Sequence, residues 1–150
     1  MSKLLSQGSF GCVYYPSLSC QGKPEVSKEY LSKLQKKDFN FDNEKNKGKK
    51  IIEKIPNYKK YFVPVLSYCD VNISEIDNKE LSKCNVVIKN KNLPFELQKM
   101  KYVRSKSIFS FIDASTDPRR IIFNVIELYT ILLHSIEMLA NNEIVHFDLK

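Results

Sequence analysis

The chain has 150 residues, 43% of them hydrophobic and 11% aromatic, with a formal net charge of +7 and a pI near 9.2. That length holds one ordinary domain around a single core, and that apolar content excludes an intrinsically disordered chain. The positive balance favours polyanions as partners (ATP, nucleic acid, an acidic surface), although the Lys residues are spread as on a solvated exterior and are not interleaved with stacking aromatics.

The first element is Leu4-Leu5-Ser6-Gln7-Gly8-Ser9-Phe10-Gly11-Cys12-Val13-Tyr14. Apolar residues flank two glycines three apart, which predicts a strand, a tight turn and a second strand. Gly at such a turn lets the backbone approach a ligand, and its N–H groups can lie over phosphates. Residues 16–24 carry Ser, Gly and Pro punctuation and read as a loop. Tyr30-Leu31-Ser32-Lys33-Leu34 reads as a strand with one charged residue, Lys33, between apolar neighbours. Residues 38–55 predict a helix stopped by Pro56, with Glu44, Ile51, Ile52 and Ile55 at near-helical spacing. Its lysines and Gly48 make it weak on its own.

A fourth strand is expected over Tyr61-Phe62-Val63-Pro64-Val65-Leu66, with Pro64 at an edge or bulge. Residues 70–94 are polar and irregular apart from Val86-Val87-Ile88, and read as an insertion between strands with room for a hairpin of its own. Alternation at Phe95, Leu97 and Lys99 marks the next strand, running to Val103. Asp117-Pro118 is a helix start, with Asp as N-cap and Pro at the first helical position. The apolar stripe Ile121, Val125, Leu128, Leu132, Ile136 and Leu139 follows, and Asn141-Asn142 ends it. His134 beside the stripe reads as structural. The chain closes on Ile144-Val145-His146-Phe147-Asp148-Leu149-Lys150.

The four cysteines, Cys12, Cys20, Cys69 and Cys84, form no C-x-x-C pair and have no His at ligand spacing, so no zinc site is expected. Met1-Ser2-Lys3 opens the chain without a signal-peptide pattern, which predicts reduced thiols in a cytoplasm. No run of about 18 uncharged apolar residues occurs, so neither a transmembrane helix nor a membrane partner is expected.

His146-Phe147-Asp148-Leu149-Lys150 resembles the catalytic loop of the protein kinases, H-R-D-L-K-x-x-N. Residues 6–13 resemble that family's glycine-rich loop G-x-G-x-x-G-x-V, with Ser6 in place of the first Gly. The two motifs fall in the family's order, at opposite ends of the chain. The Lys-rich, Asn-rich character is similar to the divergent Ser/Thr kinases of large DNA viruses, which would place the chain in a host cytoplasm or a virion.

The resemblance implies an α+β fold: a kinase-like N-lobe of antiparallel sheet plus one helix, and a hinge, over residues 1–103, with an insertion at about 70–94. The first helices of a C-lobe would follow over 104–150. It implies transfer of the ATP γ-phosphoryl to Ser or Thr hydroxyls of a protein substrate. Ser6, Gly8, Gly11 and Val13 would cover the nucleotide. Lys33, preferred over Lys28 because Lys28 lies by Glu29 near the loop, would reach the phosphates and pair with Glu44. Met100 would guard the back of the adenine pocket, with Lys101 and Val103 offering main-chain groups to the adenine edge. Asp148 would accept the hydroxyl proton and Lys150 steady the transferred charge.

Two departures carry expectations. Phe147 stands where the family has Arg, so control through a phosphorylated activation loop is not expected. The Asn and the D-F-G Asp that hold Mg²⁺ in the family would lie beyond Lys150, leaving no metal ligand within these residues. The 150-residue polypeptide is therefore expected to transfer little or no phosphate by itself. Its long helix should also keep an uncovered, adhesive face. Two other readings compete: a non-catalytic nucleotide-binding scaffold of the same fold and, behind it, a basic nucleic-acid-binding protein, for which no fold signature is found.

Overall fold

The structure, a computed structural model, describes residues 2–20, 28–76, 79–104 and 106–145. Five strands form one antiparallel sheet in the order β1-β2-β3-β5-β4: β1 is Lys3–Gln7, β2 Gly11–Tyr15, β3 Tyr30–Lys36, β4 Ser67–Val71 and β5 Phe95–Lys101. The helices are α1 (Phe39–Lys54), α2 (Asn85–Lys89), α3 (Ile108–Ile112) and α4 (Pro118–Asn141). The class is α+β, as expected.

Period-2 alternation gives the sheet two different faces. On the outer face, Cys12 pairs across to Leu34 and Leu34 to Leu97, with Lys36 opposite Phe95. Cys12, Tyr14, Leu34, Phe95 and Leu97 form a buried core there with Leu18, Leu81, Cys84 and Val87. Each fully buried Leu, Val or Phe of that core contributes about 1.5–3 kcal/mol.

Most of residues 70–94 run between β4 and β5, and part of that stretch packs onto the outer face. The 3₁₀ turn Lys79–Lys83 and α2 supply Leu81, Cys84 and Val87 to the outer core. Val86-Val87-Ile88 is helical and makes no hairpin, because three apolar residues in a row fit a buried helical turn as well as a strand.

The fourth strand is also displaced. Tyr61 to Leu66 is not a strand, and β4 begins at Ser67, with the Leu66 N–H donating to the Lys99 carbonyl (2.8 Å) just ahead of it. Pro64 has no N–H to give a ladder, so the apolar run passes along the sheet edge and the more polar S-Y-C-D-V takes up the pairing.

All four cysteines are paired, Cys12 to Cys84 and Cys20 to Cys69, which overturns the expectation of reduced thiols. The bonds join positions 72 and 49 residues apart, and such pairing is a property of the folded chain that spacing does not encode.

Helix α1 lies on the inner face. Gly48 is buried there, and a Cβ on it would come within 3.2 Å of the Val65 amide nitrogen, so glycine lets the helix approach the 63–65 segment closely. Helix α4 starts as expected, with the Asp117 side chain accepting from the Arg119 N–H (3.0 Å). Its C-terminal end joins α1 through a second cluster of Ile55, Leu139 and Ile144.

Elsewhere α4 is poorly covered. Ile122, Phe123, Ile126, Tyr129 and Leu133 are all at least 59% exposed. The helix is long and apolar enough to cross a membrane by those two measures alone, a test that core helices of soluble proteins also pass. His134 is half exposed, with Nδ1 3.7 Å from Glu137 and its ring edge-on to Tyr61.

Candidate nucleotide site

The inner face brings several of the site residues into line. The strand register puts Ser6 opposite Val13, Val13 opposite Lys33 and Lys33 opposite Gln98. A register shift between Leu4 and Ser6 places Ser6 in this row; unbroken pairing from Leu4 and Tyr14 would have put Leu5 there. Met100, opposite Leu31, is two residues along β5 on the same face.

Lys33 projects toward α1. Its Nζ lies 2.6 and 2.7 Å from the two carboxylate oxygens of Glu44, in the second turn of the helix. The Lys33 side chain is 21% exposed and that of Glu44 44%. Both groups are charge-assisted hydrogen-bonding partners, and donation to two oxygens fixes where the ammonium sits. Glu44 therefore makes a contact across the inner face rather than an i,i+4 surface pair. Lys28 lies in an exposed turn, where its carbonyl accepts from the Tyr15 hydroxyl (3.0 Å).

A cavity of about 590 Å³ opens beside this pair. Lys33, Glu44 and Met100 line it on the sheet and α1 side, Leu128, Leu132 and Ile136 on the α4 side. Its walls are thus mostly apolar, with a cation and a carboxylate at one end, the mix a small-molecule site uses to combine burial with orientation.

Ile144 and Val145 close the far wall. They reach it because the chain reverses sharply after α4. Glu143 adopts φ 57°, the Glu143 N–H donates to the Ala140 carbonyl (3.0 Å) and the Ile144 N–H to the Leu139 carbonyl (2.9 Å). A left-handed non-Gly residue costs about 1–2 kcal/mol, offset here by burial of Ile144. Asp148 and Lys150, the expected catalytic residues, lie outside the described residues, three and five positions after Val145.

Other expected site residues are held elsewhere. The Gly8 N–H donates to the Gly11 carbonyl (2.9 Å) and closes the turn, whose tip residue Phe10 is 62% exposed. Gly8 lines a separate hollow of about 760 Å³, with Lys36, Asp38 and α2 on its other sides. A Cβ on Gly11 would lie 2.4 Å from the Leu34 carbonyl oxygen, so this glycine serves the approach of β2 to β3; at Gly8 nothing stands within 4 Å.

Lys101 and Val103 line a smaller cavity of about 190 Å³, divided from the main one by residues 62–64. The segment after β5 is fixed by the Tyr102 N–H donating to the Glu29 carbonyl (2.7 Å) and by the Tyr102 ring stacking on Tyr15.

Lys47, Ile51, Tyr61, Phe62 and Val65 also line the cavity, a role their positions in the sequence did not indicate. For Tyr61, Phe62 and Val65 the signal was the apolar run at 61–66, which marked a cavity wall rather than a strand; Lys47 and Ile51 come from α1. Nor did the sequence indicate the polar group at the far end of the inner face. Lys37 Nζ lies 2.8 Å from Glu96 and 3.0 Å from Asp70. Burial pushes the Glu96 carboxyl above its ordinary range, while the Lys37 ammonium holds that of Asp70 below it. Among the described residues no three His, Cys, Asp or Glu side chains gather to hold a metal ion.

No protein-family model, no curated protein and no solved structure matches the chain.

Proposed function

We propose that the inner face is a nucleotide site of the protein-kinase type, belonging to a Ser/Thr kinase that transfers the ATP γ-phosphoryl to protein hydroxyls. The observation that carries the reading is the Lys33–Glu44 ion pair at the mouth of an apolar cavity. A lysine held by a helix carboxylate, rather than left to wave in solvent, is a pre-set counter-charge for phosphate. Further support comes from an antiparallel sheet with one helix on its inner face, from Ser6, Val13 and Lys33 in one row, and from Met100 on the same cavity.

In this reading the purine sits against Met100 in the cavity and the phosphates run along Lys33. Asp148 takes the proton from the attacking hydroxyl as the new P–O bond forms and the bond to the ADP leaving oxygen breaks. Lys150 steadies the charge on the phosphoryl in flight. Mg²⁺ bound with ATP would neutralise charge on the phosphate oxygens. Helix α4 serves as a cavity wall and carries the chain to Asp148, not as a membrane span.

The test is ATP binding by the purified chain. ATP is expected to raise its Tm, and Lys33→Met to abolish the shift. A chain whose Tm ignores ATP at millimolar concentration does not contain this site.

A further inference from the structure

The turn at residues 8–11 has little holding it from within. One hydrogen bond closes it, Gly8 has open space around it, and Phe10 stands in solvent. It is held from outside, by two consecutive residues of a segment distant in sequence. On the entering strand, the Gln7 side-chain oxygen Oε1 accepts from the Asn85 N–H (3.2 Å). On the leaving strand, Cys12 is bonded to Cys84. Cys12 and Cys84 are both fully buried, in the same outer core as Leu81 and Val87. Cys12 faces that core while its neighbours Gly11 and Val13 face the nucleotide side, so β2 connects the two faces of the sheet.

We propose that residues 79–89 act as an outer clamp on the glycine turn, and that the Cys12–Cys84 bond makes the order of the turn, and with it ATP affinity, depend on the oxidation state of the chain. The clause about affinity rests on the nucleotide reading above; the clause about the turn does not. The chemistry is thiol–disulfide exchange with a dithiol. A thiolate of the dithiol attacks one sulfur of the pair and releases the other as a thiolate. The second thiol of the reductant then attacks the mixed disulfide, freeing both cysteine thiols. Two electrons pass from the dithiol, which becomes a cyclic disulfide.

The second cross-link provides the contrast. Cys20–Cys69 joins the loop after β2 to β4, away from the turn, and Cys20 is exposed. It is open to direct attack, whereas the buried pair reacts only when residues 79–89 lift off the sheet. Reduction is therefore ordered, Cys20–Cys69 first, and only the second step frees the turn.

The experiment follows amide hydrogen exchange of residues 8–13 and the Kd for ATP in the full chain. The samples are the oxidised protein, protein reduced by dithiothreitol, and the variants Cys84→Ser, Cys69→Ser and Gln7→Ala. Loss of Cys12–Cys84 is expected to speed exchange in the turn about tenfold or more and to weaken ATP about fivefold. Cys69→Ser should do neither, and Gln7→Ala should move both in the same direction by less. Should Cys84→Ser fail to fold, the reduced wild type and Gln7→Ala decide the question.

Equal exchange in oxidised and reduced protein overturns the clamp, and so does a Cys69→Ser variant as loose in the turn as Cys84→Ser. Exchange that responds to reduction in a chain that never binds ATP leaves the clamp standing and removes the nucleotide reading.

Discussion

Lys33 and Glu44 stand eleven residues apart in sequence, on a strand and on the helix after it, and meet with Nζ between the two carboxylate oxygens at 2.6 and 2.7 Å. The pair ties α1 to the inner face, as does Lys45 over the Tyr68 ring at 3.8 Å.

Because Glu44 is 44% exposed, the pair is screened, and breaking it should cost less than about 1 kcal/mol of stability. Its effect on ligand should be larger. Glu44→Gln is expected to weaken ATP about tenfold while leaving the thermal midpoint nearly unchanged, since the ammonium loses its anchor but not its charge. Calorimetric titration beside a melting curve separates the two. A variant that melts many degrees lower yet binds ATP as before would show the pair to be structural.

The two glycines of the turn should respond in opposite ways. Gly11→Ala drives a methyl into the Leu34 carbonyl and is expected to cost about 1–3 kcal/mol. Gly8→Ala meets nothing within 4 Å and should be neutral, or stabilising by about 0.4–1 kcal/mol through the unfolded chain. Urea denaturation of both variants checks the contrast.

Glu96 and Asp70 make opposite contributions to stability against pH. The folded state holds the Glu96 proton above the ordinary value of 4.5, chiefly because the group is buried, so this residue's contribution falls as pH rises from 4.5 through its raised folded value. Asp70, held low by Lys37, contributes stability above 3.8 that is lost as pH falls through its depressed value. Glu96→Gln should therefore remove a decline in Tm above pH 4.5 and keep the loss below pH 3.8. Identical pH profiles for variant and wild type would contradict this assignment.

The outward face of α4 should bind hydrophobic dyes and promote association, as an uncovered apolar strip does. Changing Ile122 and Ile126, 60% and 59% exposed, to Lys should cost no more than about 0.5 kcal/mol each and should lower dye fluorescence and light scattering. Substantial destabilisation would mean that these side chains are packed in solution.

Much of this molecule was legible locally. The hairpin around Gly8 and Gly11, the strand bearing Lys33, α1 up to Pro56, the strand through Met100 and the Asp117-Pro118 start of α4 follow from alternation, helical period and capping chemistry. Each of these signals acts within a few residues. The partnership of Lys33 with Glu44 came from the kinase resemblance, and the row Ser6, Val13 and Lys33 needed strand register to appear. The misplacements lay where local signals compete. An apolar run broken by Pro64 resembled a strand and became a cavity wall, while Val86-Val87-Ile88 could serve a strand or a helical turn with equal ease.

By itself the amino-acid order determined the hairpin around Gly8 and Gly11, the strands through Lys33 and Met100, and the positions of α1 and α4. Only the folded chain decided that residues 79–89 cover the outer face, that Cys12 finds Cys84 and Cys20 finds Cys69, and that the bare side of α4 is the one carrying Ile122, Phe123, Ile126, Tyr129 and Leu133. The reason is that local periodicity is set by backbone geometry over a few residues. Disulfide pairing and core membership depend on which distant segments come to share a surface, and that choice is made by packing.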